Sequence, residues 1–117
     1  MNIEEVRSYC LNKKGATESF PFDEETLVIK VCDKMFALLP LENGSTINLK
    51  CDPEKAIELR EHYEDIKPGY HMSKKHWNTV TFNHTLPDKF VKELIDHSYS
   101  LVVSKLNKAK REELNNL

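Results

Sequence analysis

The chain is expected to fold as an α+β two-layer sandwich, an antiparallel sheet with helices on one face. Its segments come in the order helix, three-strand meander, helix, strand, helix. Short, turn-bearing connections inside residues 26–50 permit only antiparallel pairing. The helical segments each carry an apolar stripe, which is stable only when buried against a sheet. The other sheet face is then partly open, and polar side chains such as Lys30 and Thr79 suit it. At 117 residues, 39% of them apolar, residues 1–117 make one domain whose core needs no metal or disulfide.

Each element has a local reason. Asn2 can cap a first helix, with Glu4 and Glu5 at the positive end of its dipole and Ile3, Val6 and Cys10 along one stripe. Lys13-Lys14-Gly15 reads as its C-terminal signal. The loop around Pro21 follows, with Phe20 and Phe22 expected to pin it to the core. Thr26–Val31 is β-branched and alternates, with Leu27, Ile29 and Val31 on one face. Asp33 suits a tight turn because Asp tolerates left-handed geometry. Asn43-Gly44 is a strong hairpin signal before a third strand at 46–50.

Asp52-Pro53 starts a second helix, with Asp as cap and Pro at the first helical position. Ala56, Leu59 and Tyr63 form its stripe. Residues 64–70 read as a turn, and Trp77–Phe82 as a strand with Val80 and Phe82 towards the core. Pro87 opens a last helix whose apolar face runs through Val91, Leu94, Ile95, Ser98, Leu101, Val102 and Leu106. The charged tail, 108–117, is helix-compatible but is expected to fray or project.

Composition excludes several functions. No apolar run reaches the roughly 20 residues of a bilayer span, and the acidic start "MNIEEVRSYC" is unlike a signal peptide. A cytoplasmic monomer without membrane contact is expected. Cys10, Cys32 and Cys51 form no C-x-x-C pair, and read as free, mostly buried thiols. No G-x-S-x-G elbow or Gly-rich phosphate loop exists, and His71 and His76 lack acidic neighbours and helical metal-ligand spacing. No catalytic residue, metal or cofactor is therefore assigned.

One stretch stands out. Net charge is −2, yet from Ile66 to Pro87 there is no Asp or Glu, while Lys67, Lys74, Lys75, His71, His76 and His84 fall inside. The lysines could neutralise phosphates, and Tyr70 and Trp77 could stack on bases. Ser73 could cap a short turn, and Asn78 could bond a base edge or sugar. This makes Lys67, Tyr70, His71, Ser73, Lys74, Lys75, His76, Trp77 and Asn78 the candidate nucleic-acid-binding residues. The alternative is a protein–protein or small-ligand module using Tyr70, His71, His76 and Trp77. A purely structural corner explains the same residues.

"VCDKMFALLP", "LKCDPEKAIELREHY", "KPGYHMSKKHWNTV" and "LIDHSYSLVVSKL" together resemble the MmcQ/YjbR family of small bacterial proteins, over nearly the whole chain to about Leu106. The resemblance implies a CyaY-like fold and a DNA partner, engaged through a double-wing arrangement of loops. Tyr70, His71, Met72, Lys74, Lys75, His76, Trp77 and Asn78 match the family signature. Ser73 stands where Asn is usual, and Asp33 where Gly is usual. Frataxin-type iron binding needs an acidic ridge. Glu4, Glu5, Asp23, Glu24 and Glu25 offer no argument for convergence, and fold alone transfers no function.

Overall fold

The computed structural model describes residues 1–117. Helix α1 (Ile3–Leu11) leads into strands β1 (Ala16–Ser19), β2 (Thr26–Val31), β3 (Lys34–Pro40) and β4 (Thr46–Lys50). Helix α2 (Pro53–His62), strands β5 (Ile66–Pro68) and β6 (Trp77–Thr81), and helices α3 (Asp88–Ser104) and α4 (Lys108–Asn115) follow. The six strands form one antiparallel sheet in the order β1-β2-β3-β4-β6-β5. The fold is α+β, as the element order predicts. No helix is long and apolar enough to cross a membrane.

The large core lies between the sheet and the helices. Leu27, Ile29, Val31, Phe36, Leu39, Ile47 and Val80 meet Val6 and Cys10 of α1, Ala56 and Leu59 of α2, and Val91, Ile95 and Val102 of α3. Alternation sends Val28, Leu38 and Trp77 to the opposite face, where Met35 and Met72 pack on them. Burying polar groups on the core side needs partners, and Ser98 shows how they are met. It is fully buried on α3, accepts from Lys50 N–H at 2.9 Å and donates to Phe36 O at 2.6 Å.

The local signals explain the ends of the elements. Asn2 and Glu5 form a reciprocal capping box on α1, and Asp52 caps α2 ahead of Pro53. Gly15 adopts φ 73°. The tight hairpin is β2–β3, where Val31 pairs with Lys34 across a two-residue turn. Cys32 and Asp33 both have positive φ, 48° and 64°, as a type I′ turn requires. Asn43-Gly44 instead sits in a five-residue connection from Pro40 to Thr46, where the Asn43 carboxamide oxygen accepts from Ser45 and Thr46 N–H.

Four expectations are corrected. Strand β1 lies between the first helix's stop signal and the Pro21 loop, where the sequence suggests no strand, and β5 lies where it suggests a turn. Both are short edge strands held by backbone pairing, with few buried side chains to leave a pattern. Pro68 fits β5 because an edge strand tolerates a missing N–H. Phe20 and Phe22 do not pin their loop to the core; they are 47% and 65% exposed. On α2, Ile57 and Tyr63 are exposed, so the buried stripe is only Ala56 and Leu59. The tail does not fray or project. Asn107 caps α4, Leu114 joins the core, and Lys14 Nζ donates to Asn115 O at 3.0 Å.

Candidate functional site

The stretch from Gly69 to Trp77 is a cover folded over the open sheet face. Gly69 N–H donates to Trp77 O at 2.9 Å, and a Cβ at Gly69 would fall 2.8 Å from Trp77 Cβ. Only glycine lets the two segments approach so closely. Met72 N–H then donates to Gly69 O, and His76 and Trp77 N–H donate to Ser73 O at 3.2 and 3.0 Å. Ser73 thus closes its helical turn through its carbonyl, not through a side-chain cap. Tyr70 N–H donates to the Thr79 hydroxyl at 3.0 Å, and Met72 packs on the Val28–Leu38–Trp77 cluster.

Arg60 of α2 staples this cover from the core side. Its Nε donates to Asn78 Oδ1 at 2.6 Å, and its Nη2 donates to the carbonyls of Lys74 and Trp77. Asn78 Nδ2 reaches Ala56 O at 3.4 Å. No motif announces Arg60; in the sequence it is one of several charged residues along α2.

The predicted contact residues therefore divide. Lys67, Tyr70, His71, Ser73, Lys74 and Lys75 are exposed, and His76 is half-buried. Lys74 also donates from Nζ to Gly69 O at 3.0 Å, so it braces the loop. Tyr70 and His71 rings lie 4.0 Å apart, and His71 is held at φ 58°. Trp77 and Asn78 are 7% and 2% exposed. Neither is presented for base stacking or base-edge bonding. Trp77 belongs to the apolar face of the sheet, and the Asn78 carboxamide is consumed by Arg60 and Ala56. His84 sits elsewhere, its Nδ1 3.0 Å from Asp65.

Two clefts border this region, which sequence reading missed. The larger, about 840 Å³, lies beside the Cys32-Asp33 turn and the α3–α4 corner. Lys34, Lys50, Lys105 and Lys110 converge on it, Asp33 is its one carboxylate, and Trp77 and Met35 form part of its wall. None of these lysines is in an ion pair. Burial pushes the Lys50 amine down from its ordinary value, and the neighbouring charges of Lys105 and Lys34 push it further. The second cleft, about 470 Å³, opens between the Phe22–Thr26 loop and Tyr70–Met72. No three His, Cys, Asp or Glu side chains come together as metal ligands.

The YjbR family model matches residues 11–101, a span that includes the whole sheet, the Gly69–Trp77 cover and Arg60. The chain belongs to the YjbR family. It is 39% identical over 115 residues to the uncharacterized protein YjbR of Escherichia coli K12, covering 97% of this chain and 98% of that one. It is 44% identical over 113 residues to the uncharacterized protein YyaQ of Bacillus subtilis, covering 84% of this chain and 95% of that one. The crystal structure of Deinococcus radiodurans protein DR2400 superposes with TM-score 0.88 at 44% identity, over 97% of this chain and 87% of that one. In this YjbR-family chain the lysine cleft is completed by Lys105 and Lys110, which lie beyond the residues the family model matches.

Proposed function

We propose that this protein is a small, cytoplasmic, non-catalytic protein that binds nucleic acid in the basic cleft where the Cys32-Asp33 end of the sheet meets the α3–α4 corner. The observation that carries the reading is the cleft of Lys34, Lys50, Lys105 and Lys110 beside Trp77, with one carboxylate among them. Lysines held together without counterions repel one another, and a phosphate backbone relieves that repulsion while releasing its own counterions. Lys50 is part-buried, and beyond that burial the charges of Lys105 and Lys34 press on its amine. The exposed Lys67, Lys74 and Lys75 extend positive charge beyond the cleft, and exposed Tyr70 offers a stacking face. Contacts to phosphate position a ligand without reading sequence, so weak sequence preference is expected.

Trp77 is the only tryptophan in the chain and lines the cleft, so its fluorescence reports occupancy there. Oligonucleotides, single-stranded and duplex, are titrated at two salt concentrations. Four neutralised phosphates give a log–log salt slope of about −3.6 on duplex DNA, or about a 150-fold loss between roughly 50 and 200 mM salt. Lys50→Ala/Lys105→Ala should reduce that slope by about 1.8. No binding at low salt, or a slope that the double variant leaves unchanged, overturns the reading.

A further inference from the structure

Every lysine of the basic cleft stands at the end of an element. Lys34 opens β3, Lys50 closes β4, Lys105 caps the C-terminus of α3, and Lys110 lies in the first turn of α4. Elsewhere the chain pairs lysines with carboxylates, Lys13 with Asp96 and Lys108 with Glu112. Here Asp33 is the one carboxylate among the lining side chains, and no histidine joins it. Four lysines against one carboxylate leave three positive charges without an offset. The second cleft offers a phosphate nothing, since Asp23, Glu25 and Glu42 line it and no lysine does.

Lys50 is the fixed point of the cluster. Its backbone N–H donates to the buried Ser98 hydroxyl at 2.9 Å, and it pairs across the sheet with buried Trp77. Its half-buried side chain therefore leaves from a rigid base, with Lys105 and Lys34 close enough to press on its amine. A cation already held in place loses little freedom when an anion arrives. Size narrows the anion. A cleft of about 840 Å³ falls in the range of about 300–1,000 Å³ usual for one small ligand, so it admits roughly one nucleotide with its phosphates. A duplex keeps its phosphates on a convex surface and cannot follow the lysines inward.

Charge decides between the interior and the end of a strand. An internal phosphodiester carries about one negative charge, whereas a terminal phosphomonoester carries about 1.5–2 at pH 7, because its second pKa is about 6. The terminal group together with the adjoining diester brings about three charges, which matches the excess in the cleft. We infer that the cleft receives the phosphorylated end of a nucleic-acid strand, with the terminal phosphomonoester and the next diester seated among Lys34, Lys50, Lys105 and Lys110. This rests on the nucleic-acid reading and narrows it from the phosphate backbone at large to a strand terminus.

The test uses short oligothymidylates of one length, ending in a 5′-phosphate or a 5′-hydroxyl, followed by Trp77 fluorescence at low salt. The phosphorylated strand should bind at least tenfold more tightly than the hydroxyl-ended one. Thymidine 5′-monophosphate has the monoester without the diester and should bind at least tenfold more weakly than the phosphorylated strand; equal binding would assign the cleft to a free nucleotide and overturn the inference. Lowering the pH from about 7.5 to about 5 protonates the monoester, so the affinities of the two strands should converge. The lysines stay charged over that range, so the convergence belongs to the ligand. Lys105→Ala/Lys110→Ala, at two exposed positions, should abolish the preference for the phosphorylated end, whereas Lys74→Ala/Lys75→Ala should preserve it. Lysine-dependent binding that is equal for the two ends overturns this inference and leaves the nucleic-acid reading standing. Absence of binding by either strand overturns both.

Discussion

Replacing Arg60 by Ala removes three donated hydrogen bonds at once, to Asn78 Oδ1, Lys74 O and Trp77 O. The three losses are unequal. Lys74 is exposed, so water replaces the donor there. Trp77 O keeps the N–H of Gly69. Asn78 Oδ1 has neither remedy, because Asn78 is 2% exposed and its Nδ2 is turned to Ala56. A bond from a charged donor contributes about 1.5–3 kcal/mol, and an orphaned buried acceptor costs about 1–3 kcal/mol. These describe one loss seen from two sides and are not added. Arg60 is itself half-buried, so about 2 kcal/mol is expected.

With an unfolding entropy of about 2.1 cal/mol/K per residue, this 117-residue chain shifts by about 4 °C per kcal/mol. Arg60→Ala should therefore lower Tm by about 8 °C in a thermal melt. Arg60→Lys keeps the charge but replaces a planar fork with a single ammonium, and should recover less than half of the loss. Asn78→Ala added to Arg60→Ala should cost less than it does alone, giving a coupling of about 1–2 kcal/mol in the double-mutant cycle. A melt of Arg60→Ala within about 2 °C of the parent, or strictly additive variants, would refute the staple.

Further outcomes follow from other elements. Leu114→Ala should cost about 2–4 kcal/mol in urea unfolding, because Leu114 is 4% exposed against the core; a cost below about 0.5 kcal/mol would mean that α4 is not docked. Asp65 is held at about 2 by the Thr85 hydroxyl and N–H and by His84, below its ordinary 3.8. The folded pKa is the lower one, so its stabilisation is present above about pH 4 and lost as pH falls towards about 2. Asp65→Asn should flatten stability against pH across that window, and an unchanged acid limb would contradict the assignment. Burial pushes the Cys10 thiol up to about 12 and raises that of Cys51, while Cys32 is part-exposed. Alkylation of the folded protein near neutral pH should therefore modify Cys32 first, with Cys10 labelled only on unfolding.

The elements legible in the sequence are those whose side chains repeat. Leu27, Ile29 and Val31 alternate, Val91, Leu94, Ile95, Ser98 and Val102 follow a helical stripe, and Asp52-Pro53 marks a helix start by its own chemistry. Strands β1 and β5 escape because backbone pairing at a sheet edge needs no side-chain pattern. Trp77 illustrates a subtler limit. Its place on the face away from Val80 follows from alternation, but its burial depends on Met35 and Met72, and on a cover loop whose path the sequence does not reveal. The same holds for the basic cleft. Lys34, Lys50, Lys105 and Lys110 are scattered along the chain, and only strand register and the α3–α4 corner bring them together. The docking of the tail leaves no pattern in the sequence, because α4 is charged over most of its surface and has Leu114 as its one buried residue.

A net charge of −2 argues against a polyanion partner only if charge acts as a sum. Around this sheet it does not. Lys34 begins β3 and Pro40 ends it, with Glu25 and Glu42 just outside the far end of the β2–β3 hairpin. At about 3.4 Å per residue, that strand separates lysines from glutamates by about 20 Å. The screening length at physiological salt is about 8 Å, so exposed charges at one end scarcely register at the other. The Gly69–Trp77 cover lies on the open face, with Met72 packed against the Val28–Leu38–Trp77 cluster. One sheet can therefore present a cationic cleft and an anionic cleft without either cancelling the other. The physical consequence is electrostatic independence. Glu25→Gln/Glu42→Gln should leave the salt slope of nucleic-acid binding unchanged, whereas a variant at Met35, which lines both clefts, is the change that should disturb both.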